Sequence, residues 1–401
     1  MRIFEKSEKL ENVNYEVRGA VVEEADRMIK AGEKILKLNI GNPAVYGFNA
    51  PDAIFDALSN NIRAAQAYSD SKGITSARNA IFEYHSAKGL PNISEDEIFL
   101  GNGVSELITM CMLTLLNTGD EILIPAPDYP LWTAAARLAG GKVVHYLCDE
   151  QSDWFPDIAD IKKKITPRTK AIVVINPNNP NGAHYSADLL KQIVEVAREH
   201  ELMVFSDEIY DRMLFQGEHT SIAALAPDLF CVTMNGLSKS DIVCGYRTGW
   251  MVLSGDKSKA KSYIEGLTVM SSMRLCANVP AQYTIEAALK SQKINPNVAP
   301  GGRLREQADL TYNMLMDIPG VSVVRPQGSL YMFPKLDSRF NITNDVKFAL
   351  DFLKAKKVLI VQGTGFNWPE HNHFRIVFLP KVEELKAAVI ALGEFLETYS
   401  Q

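Results

Sequence analysis

Lys239 closes the run Asn235-Gly236-Leu237-Ser238-Lys239, and Arg247 follows eight positions later in Gly245-Tyr246-Arg247. The apolar stretch at 229–234 reads as a buried strand that delivers the lysine at its carboxyl end, where the ligands of open α/β sheets sit. A lysine amine in such a place adds to a carbonyl to form a Schiff base. Arginine presents a planar fork of N–H donors suited to a phosphate. The pair therefore describes a ligand carrying both a carbonyl and a phosphate. An ordinary surface lysine and arginine look the same in isolation, since Lys and Arg together number 42 here. Other segments decide between the two readings.

Several polar clusters stand at the ends of predicted strands. Ile98-Phe99-Leu100 leads through Gly101-Asn102-Gly103-Val104-Ser105-Glu106 into an apolar helix at 107–116. Free backbone N–H groups at a helix start, aided by the helix dipole, bind anions. The loop imitates a dinucleotide fingerprint, but Glu106 stands where the third glycine belongs, so a phosphate-only cofactor fits better than NAD. The strand at 171–175 ends in Asn176-Pro177-Asn178-Asn179-Pro180-Asn181-Gly182, a sharp turn in which a cis bond before Pro180 is one option. That turn sets the Asn179 amide near whatever occupies the strand ends. After the strand at 202–205 come Asp207, Glu208 and Tyr210, and two acids directly after an apolar strand are poor core residues and good site residues. Tyr129 follows the strand at 121–124 in a prolyl turn, where its ring either stacks on a flat heterocycle or packs in the core. Arg375 lies inside the apolar run Phe374-Arg375-Ile376-Val377-Phe378. An unpaired charge there would cost several kcal/mol, so it needs an anion, either a structural Asp or Glu or a substrate carboxylate. Lys239 with the phosphate-binding Arg247 suggests pyridoxal phosphate, which has both an aldehyde and a phosphate.

Bringing these residues together requires a sheet. From about Leu100 to Leu253, strands alternate with loops and helices, which implies a doubly wound α/β domain with a largely parallel sheet. Helical patterns at 257–267, 280–289 and 304–316 lead away from it. Strands at 321–324, 329–333, 358–361 and 374–379 then alternate with helices at 345–354 and 382–399, a second and smaller α+β unit. Ahead of the sheet, residues 1–20 form a polar arm containing Tyr15 and Arg18, either a docked terminus or a flap over a site. A helical pattern at 21–31 and a strand at 35–40 run into Gly41-Asn42-Pro43, where the backbone either approaches a ligand or simply turns. Tyr68 opens a polar loop at 68–73.

Composition narrows the classes. The chain has 401 residues, enough for two or three domains, and its 46% hydrophobic and 22% charged content is that of a soluble globular protein. A net charge of −6 argues against nucleic-acid or anionic-membrane partners. Five cysteines, odd in number and without a CxxC pair, read as reduced thiols of a cytosolic protein. The charged start Met1-Arg2-Ile3-Phe4-Glu5-Lys6 lacks a signal-peptide core, and no apolar run reaches membrane-spanning length, so the expected location is cytoplasmic. His371 and His373 have no carboxylates or cysteines at ligand spacing, and no metal is expected.

The set Asn179-Pro180-x-Gly182, Asp207-x-x-Tyr210, Ser238-Lys239 with Arg247 eight on, and the late Arg375 resembles the class I aminotransferases, which are fold-type I pyridoxal-phosphate enzymes. The resemblance spans essentially the whole chain. Leu38-Asn39-Ile40-Gly41-Asn42-Pro43, Pro125-Ala126-Pro127-Asp128-Tyr129-Pro130-Leu131-Trp132 and Arg274-Leu275-Cys276-Ala277-Asn278-Val279-Pro280-Ala281-Gln282 look most similar to bacterial glutamate–pyruvate (alanine) aminotransferases.

The resemblance implies a mostly parallel seven-stranded sheet in a large cofactor-binding domain at 46–290 and a smaller α+β domain at 291–401, with 1–45 an arm and part of the small domain. It implies that Lys239 holds the cofactor and moves the substrate proton, that Asp207 pairs with the pyridine nitrogen, and that Tyr210 and Asn179 bond to the ring oxygen. Tyr129 would stack on the ring, while Val104, Ser105 and Arg247 bind the phosphate. Tyr68 would reach the phosphate of a neighbouring subunit, making a homodimer with shared sites. Arg375 would clamp the substrate α-carboxylate with Asn179 and the Gly41 backbone, and Tyr15 and Arg18 would serve as lids or second-carboxylate contacts. The implied reaction is reversible amino transfer between L-alanine and 2-oxoglutarate. Alternatives are the same fold acting on aspartate, aromatic or branched-chain amino acids, or a C–S β-lyase. A non-catalytic amino-acid sensor would need an appended DNA-binding unit, and the 40 residues before Gly41 show no basic recognition helix. Two positions depart from the family pattern. Asn181 stands where threonine is usual, and Gly236 replaces a serine that some relatives use on the phosphate, which leaves Ser238 a secondary candidate and puts more weight on Arg247.

Overall fold

Apolar runs punctuated by Gly, Pro and Asn form a central sheet flanked by helices. The computed structural model describes residues 3–11, 13, 19–291 and 295–401. In chain order its first strands are β1 (Leu36–Lys37), β2 (Ile98–Asn102), β3 (Glu121–Ala126), β4 (Lys142–Asp149) and β5 (Phe155–Pro156). Next come β6 (Thr169–Ile175), β7 (Met203–Asp207), β8 (Cys231–Gly236) and β9 (Thr248–Ser254). The last are β10 (Val321–Ser322), β11 (Tyr331–Met332), β12 (Lys335–Leu336), β13 (Val358–Leu359), β14 (Val361–Gln362) and β15 (Phe374–Val377).

The large sheet has the order β2-β9-β8-β7-β6-β3-β4-β5. Seven strands make its body, and the two-residue β5 extends one edge by pairing antiparallel with β4. β4, β3, β6, β7 and β8 run parallel, while β9 runs antiparallel to both β8 and β2. The sheet is covered on both faces, which is why its strands read as continuous apolar runs. Successive side chains of β6 alternate: Ile172 and Val174 join a core on one face with Ile193 and Ala197 of the helix Ala187–Glu199. Ala171, Val173 and Ile175 point the other way, into a core with Leu107 and Cys111 of the helix Val104–Leu115.

A third core joins the two ends of the chain. β1 pairs in parallel with β13, matching Leu36 to Val358, and Val377 N–H donates to the Leu38 carbonyl at 2.9 Å. β15 lies between β11 and β14, with Arg375 opposite Val361. Leu38, Phe348, Phe352, Phe374 and Leu385 pack together in this core. Gly41 and Arg375 thus hang from one unit, and the large sheet carries the rest of the site.

Four local features differ from the sequence expectation. The helix expected at 257–267 starts at Lys261 and runs to Met273, because the Asp256 side chain accepts from Ser258 N–H and holds a turn. The helix expected at 280–289 is two pieces, Val279–Gln282 and Thr284–Ser291, and Thr284 Oγ1 donates to the Ala281 carbonyl at the break. The strand expected at 358–361 divides into β13 and β14. The cis peptide of the asparagine-rich turn precedes Pro177 rather than Pro180, and a second cis peptide precedes Pro127. All five cysteines are free, and no described helix is long and apolar enough to cross a membrane.

Candidate active site

Parallel strands β3, β6, β7 and β8 end at one edge of the sheet, and the antiparallel β9 begins there. A cavity of about 500 Å³ opens at that edge. Nine of the residues singled out from sequence line it: Gly41, Val104, Ser105, Tyr129, Asn179, Asp207, Tyr210, Lys239 and Arg247. Ser238 lines it too. Arg375 borders it through Asn179 and Tyr331. Tyr68 lies away from it and is 79% exposed. Tyr15 and Arg18 lie outside the described residues.

Asp207 is the last residue of β7 and is buried. Its Oδ2 accepts from Trp132 Nε1 at 3.1 Å and its Oδ1 from Ile209 N–H at 3.3 Å. Burial raises its pKa to about 6 against the pull of those two donors, and the neighbouring Glu208 pushes the same way as burial. A carboxylate so placed gains from any cationic N–H brought beside it. Lys239 stands three residues beyond β8 and donates from Nζ to the Gly41 carbonyl at 2.7 Å, so the amine sits where the two units of the fold meet.

An anion cradle lies at the helix Val104–Leu115. Its N-cap, Gly103, has φ +79°, and no side chain caps the helix start. Glu106 is engaged elsewhere, accepting from Asn102 N–H at 2.8 Å and pairing with Arg274 at 2.9 Å. Val104 and Ser105 therefore face the cavity at an uncapped helix start, opposite Arg247. Arg247 has φ +54° and is anchored by an Nη1 bond to the Cys244 carbonyl at 3.0 Å.

The two departures from the family pattern have local causes. Asn181 Oδ1 accepts from Ala183 N–H at 3.0 Å, an Asx turn that closes the loop after β6. Gly236 pairs across the sheet with Gly249, and a Cβ on it would lie 2.6 Å from the Thr248 carbonyl oxygen. A Cβ on Gly249 would in turn lie 2.6 Å from Val104 N. Two strands and a helix start approach too closely here for a serine.

Arg375 is buried in β15. Nη1 donates to Asn179 Oδ1 at 3.0 Å, and Nη2 donates to the Asn39 carbonyl. The guanidinium carbon lies 4.4 Å from the Tyr331 ring centre and 4.5 Å from that of Phe366. Two aromatic faces and two neutral oxygens help to orient it.

Two cavity features escaped the sequence reading. Trp132 lay in a segment already singled out, but nothing in its spacing showed that its N–H meets Asp207. Tyr331 lies in an apolar strand, lines the cavity and accepts from the Tyr210 hydroxyl at 2.9 Å. Burial holds the Tyr210 phenol well above its ordinary pKa. For Tyr331, burial also pushes up, but Lys239, Arg375 and the Tyr210 hydrogen bond outweigh it and the phenol falls below its ordinary value. The signal that revealed Arg375, a charge inside an apolar strand, has no counterpart at Tyr331, because an aromatic ring is at home in such a strand. Among the described residues, no cluster of three His, Cys, Asp or Glu side chains could hold a metal ion.

Comparison with known proteins agrees with this geometry. Residues 33–392 match the family model for aminotransferases of class I and II. The chain is 58% identical over 404 residues to the glutamate-pyruvate aminotransferase AlaA of Escherichia coli K12, covering the full length of both. It is 53% identical to the alanine aminotransferase of Mycobacterium tuberculosis H37Rv, covering all of this chain and 94% of that one. A crystal structure of an aminotransferase from Escherichia coli superposes with a TM-score of 0.98 at 57% identity, over the full length of both chains. Alanine aminotransferase from Pyrococcus furiosus gives 0.92 at 39% identity, covering 98% of this chain and all of that one.

Proposed function

Because this chain belongs to the class I and II aminotransferase family, we propose that it transfers an amino group reversibly between L-alanine and 2-oxoglutarate, yielding pyruvate and L-glutamate, with pyridoxal 5′-phosphate as cofactor. The observation that carries the reading is one cavity faced by the Lys239 amine, the buried Asp207 carboxylate and an uncapped helix start beside Arg247. The donor set fits the cofactor group by group: an amine for the aldehyde, a buried anion for the ring nitrogen, and N–H donors with a guanidinium for the phosphate. The choice of alanine rests on relatives whose names specify alanine or glutamate–pyruvate transamination.

When bound, pyridoxal phosphate supplies an aldehyde and an electron-withdrawing ring that accepts the electron pair released at the substrate Cα. Asp207 would pair its buried carboxylate with the ring nitrogen and keep the proton there. Tyr129 would back the ring, and Tyr210 and Asn179 would offer hydrogen bonds to its oxygen. Val104 N–H, Ser105 N–H and Arg247 would hold the phosphate. Arg375 would grip the substrate α-carboxylate. Lys239 Nζ would take the proton from the substrate Cα as a general base and give it up again as a general acid. The same steps run in reverse on 2-oxoglutarate.

Tyr68 belongs, on this reading, to the partner's phosphate site in a homodimer. Its loop lies against Arg274, which donates to the Ser71 carbonyl at 2.9 Å, and the nearby Met273 and Leu275 are exposed apolar side chains. The division into 1–45, 46–290 and 291–401 is supported by the pairing of β1 with β13 and by the separate core around Phe348 and Phe374. A cytoplasmic location is supported by the five free thiols.

The test is a half-reaction scan. Cofactor-loaded protein is mixed separately with alanine, glutamate, aspartate, phenylalanine, leucine and cystathionine, and visible absorbance is followed together with oxo-acid release. Fast conversion by alanine and glutamate alone is the expected result. Another preferred amino acid would move the substrate, and pyruvate with ammonia from cystathionine would make the protein a lyase.

Arg375→Ala should reduce kcat/KM for alanine by roughly 30-fold to 10³-fold, the range for losing one partner of a buried, hydrogen-bonded charge pair, mainly through KM. Arg375→Lys should fall between, keeping the charge without the fork. Initial rates at varied alanine measure both, and an unchanged KM would remove Arg375 from the substrate site.

A further inference from the structure

Tyr331 meets three working parts of the cavity at once. Its hydroxyl accepts from Tyr210 at 2.9 Å, and the two rings stand edge to face with centres 5.9 Å apart. Its ring face lies 4.4 Å from the Arg375 guanidinium carbon. Its hydroxyl also packs onto Gly41, where a Cβ would collide with it, and the Gly41 carbonyl is the group that accepts from Lys239. The residue is buried in β11, paired with β15 beside Arg375.

A buried ring that only filled space would have no need of its hydroxyl, and a buried hydroxyl needs a partner. Among the described residues, Tyr210 is the hydrogen-bond partner of this one. Each phenol carries one proton and can also accept. The two oxygens lie 2.9 Å apart and one proton fills the bond between them; if that proton is Tyr210's, none is left for a ligand oxygen. Once such an oxygen enters the cavity, Tyr210 can turn its proton outward only if Tyr331 supplies the proton of the bond between them. The bonds then run one way, from Tyr331 to Tyr210 to the ligand, and each strengthens the next. No covalent bond changes, and each oxygen keeps its own proton.

We propose that Tyr331 is a positioning residue for transamination, its hydroxyl orienting and strengthening the Tyr210 donor while its ring supports the Arg375 clamp. The proposal rests on the cofactor reading above, and the test separates the two. Protein loaded with pyridoxal phosphate is titrated with acid and base while its visible absorbance is followed. A stronger donor to the ring oxygen draws charge away from the nitrogen linked to Lys239 and eases loss of the proton there, so weakening the donor should raise the midpoint. Tyr331→Phe should raise it by roughly half a pH unit, the scale of one ordinary hydrogen bond. Its KM for alanine should stay within about twofold of wild type, since the ring beneath Arg375 remains, and the loss should appear in kcat. Tyr331→Leu should raise KM several-fold. Tyr210→Phe and the double variant Tyr210→Phe/Tyr331→Phe should share one midpoint, because a residue acting through another adds nothing once that other is gone. A Tyr331→Phe midpoint equal to wild type, or a double variant whose shift is the sum of the two, would overturn the proposal. Wild-type protein with no visible absorbance would instead remove the cofactor reading beneath it.

Discussion

Replacing Lys239 by alanine should leave a folded protein that has lost transamination by at least about 10⁴-fold, the upper range for deleting a well-placed acid–base group. The amine is the one lysine nitrogen facing the cavity among the described residues. Its loss removes the attachment point for an aldehyde and the base for the Cα proton together. Folding should suffer little, because the side chain is half-buried and, among the described residues, makes one hydrogen bond, to the Gly41 carbonyl. One such bond contributes about 1 kcal/mol net. Turnover, visible absorbance after cofactor loading and thermal unfolding measure the three consequences. Added methylamine should restore a small part of the activity by supplying a base in the space vacated. A variant that kept the absorbance of a lysine-linked cofactor, or a few per cent of the wild-type rate, would show that another residue does this work.

Asp207→Asn is expected to separate stability from function. The substitution keeps the shape and, through its one carbonyl oxygen, the Trp132 bond; it removes the charge and gives up the longer bond from Ile209 N–H. With the folded pKa raised to about 6 from 3.8, the folded protein binds a proton more tightly than the unfolded chain does. Stability contributed by this group therefore falls as pH rises from about 4 to about 6, and the full cost of the buried anion stands above that window. A shift of about two units corresponds to roughly 3 kcal/mol. Cofactor-free Asp207→Asn should consequently be more stable than wild type at pH 7.5, by up to that amount, with the gap closing toward pH 4. Turnover should move the other way, by roughly 10²-fold to 10³-fold, as for removal of one preorganised electrostatic partner. Melting curves of the two cofactor-free proteins across pH 4–8 test the first half and steady-state rates the second. A variant less stable at pH 7.5, with a gap that ignores pH, would contradict the electrostatic account.

Much of the cavity could be read from sequence because its residues break a physical rule. Asp207 and Lys239 follow apolar strands, Asn179 lies in a turn dense with proline and asparagine, and Arg375 is a charge inside a strand. Tyr331 and Trp132 break no such rule. An aromatic side chain in an apolar run is at home whether or not its polar tip bonds, so spacing cannot say that one hydroxyl meets Tyr210 or that one indole N–H meets Asp207. The helix break at Tyr283 was hidden for a similar reason: no glycine marks it, and the competing Thr284 bond is a matter of rotamer. Pro177 and Pro180 both follow asparagine, so local chemistry could not choose which peptide is cis. The sheet, by contrast, was legible in outline because strands buried on both faces leave long apolar runs between their loops.

The crossing of Gly236, Gly249 and the start of the helix at Val104 limits how this protein can evolve. Every single-base change in a glycine codon that replaces the residue introduces a Cβ, and at positions 236 and 249 a Cβ meets backbone rather than a side chain able to yield. A serine at position 236 therefore lies behind a barrier: a lineage would first have to widen the gap between two strands whose ends lead to Lys239 and Arg247. Adjustment of the phosphate grip by small mutational steps is left to the Arg247 side of the cradle, and the two glycines should persist wherever this strand spacing does.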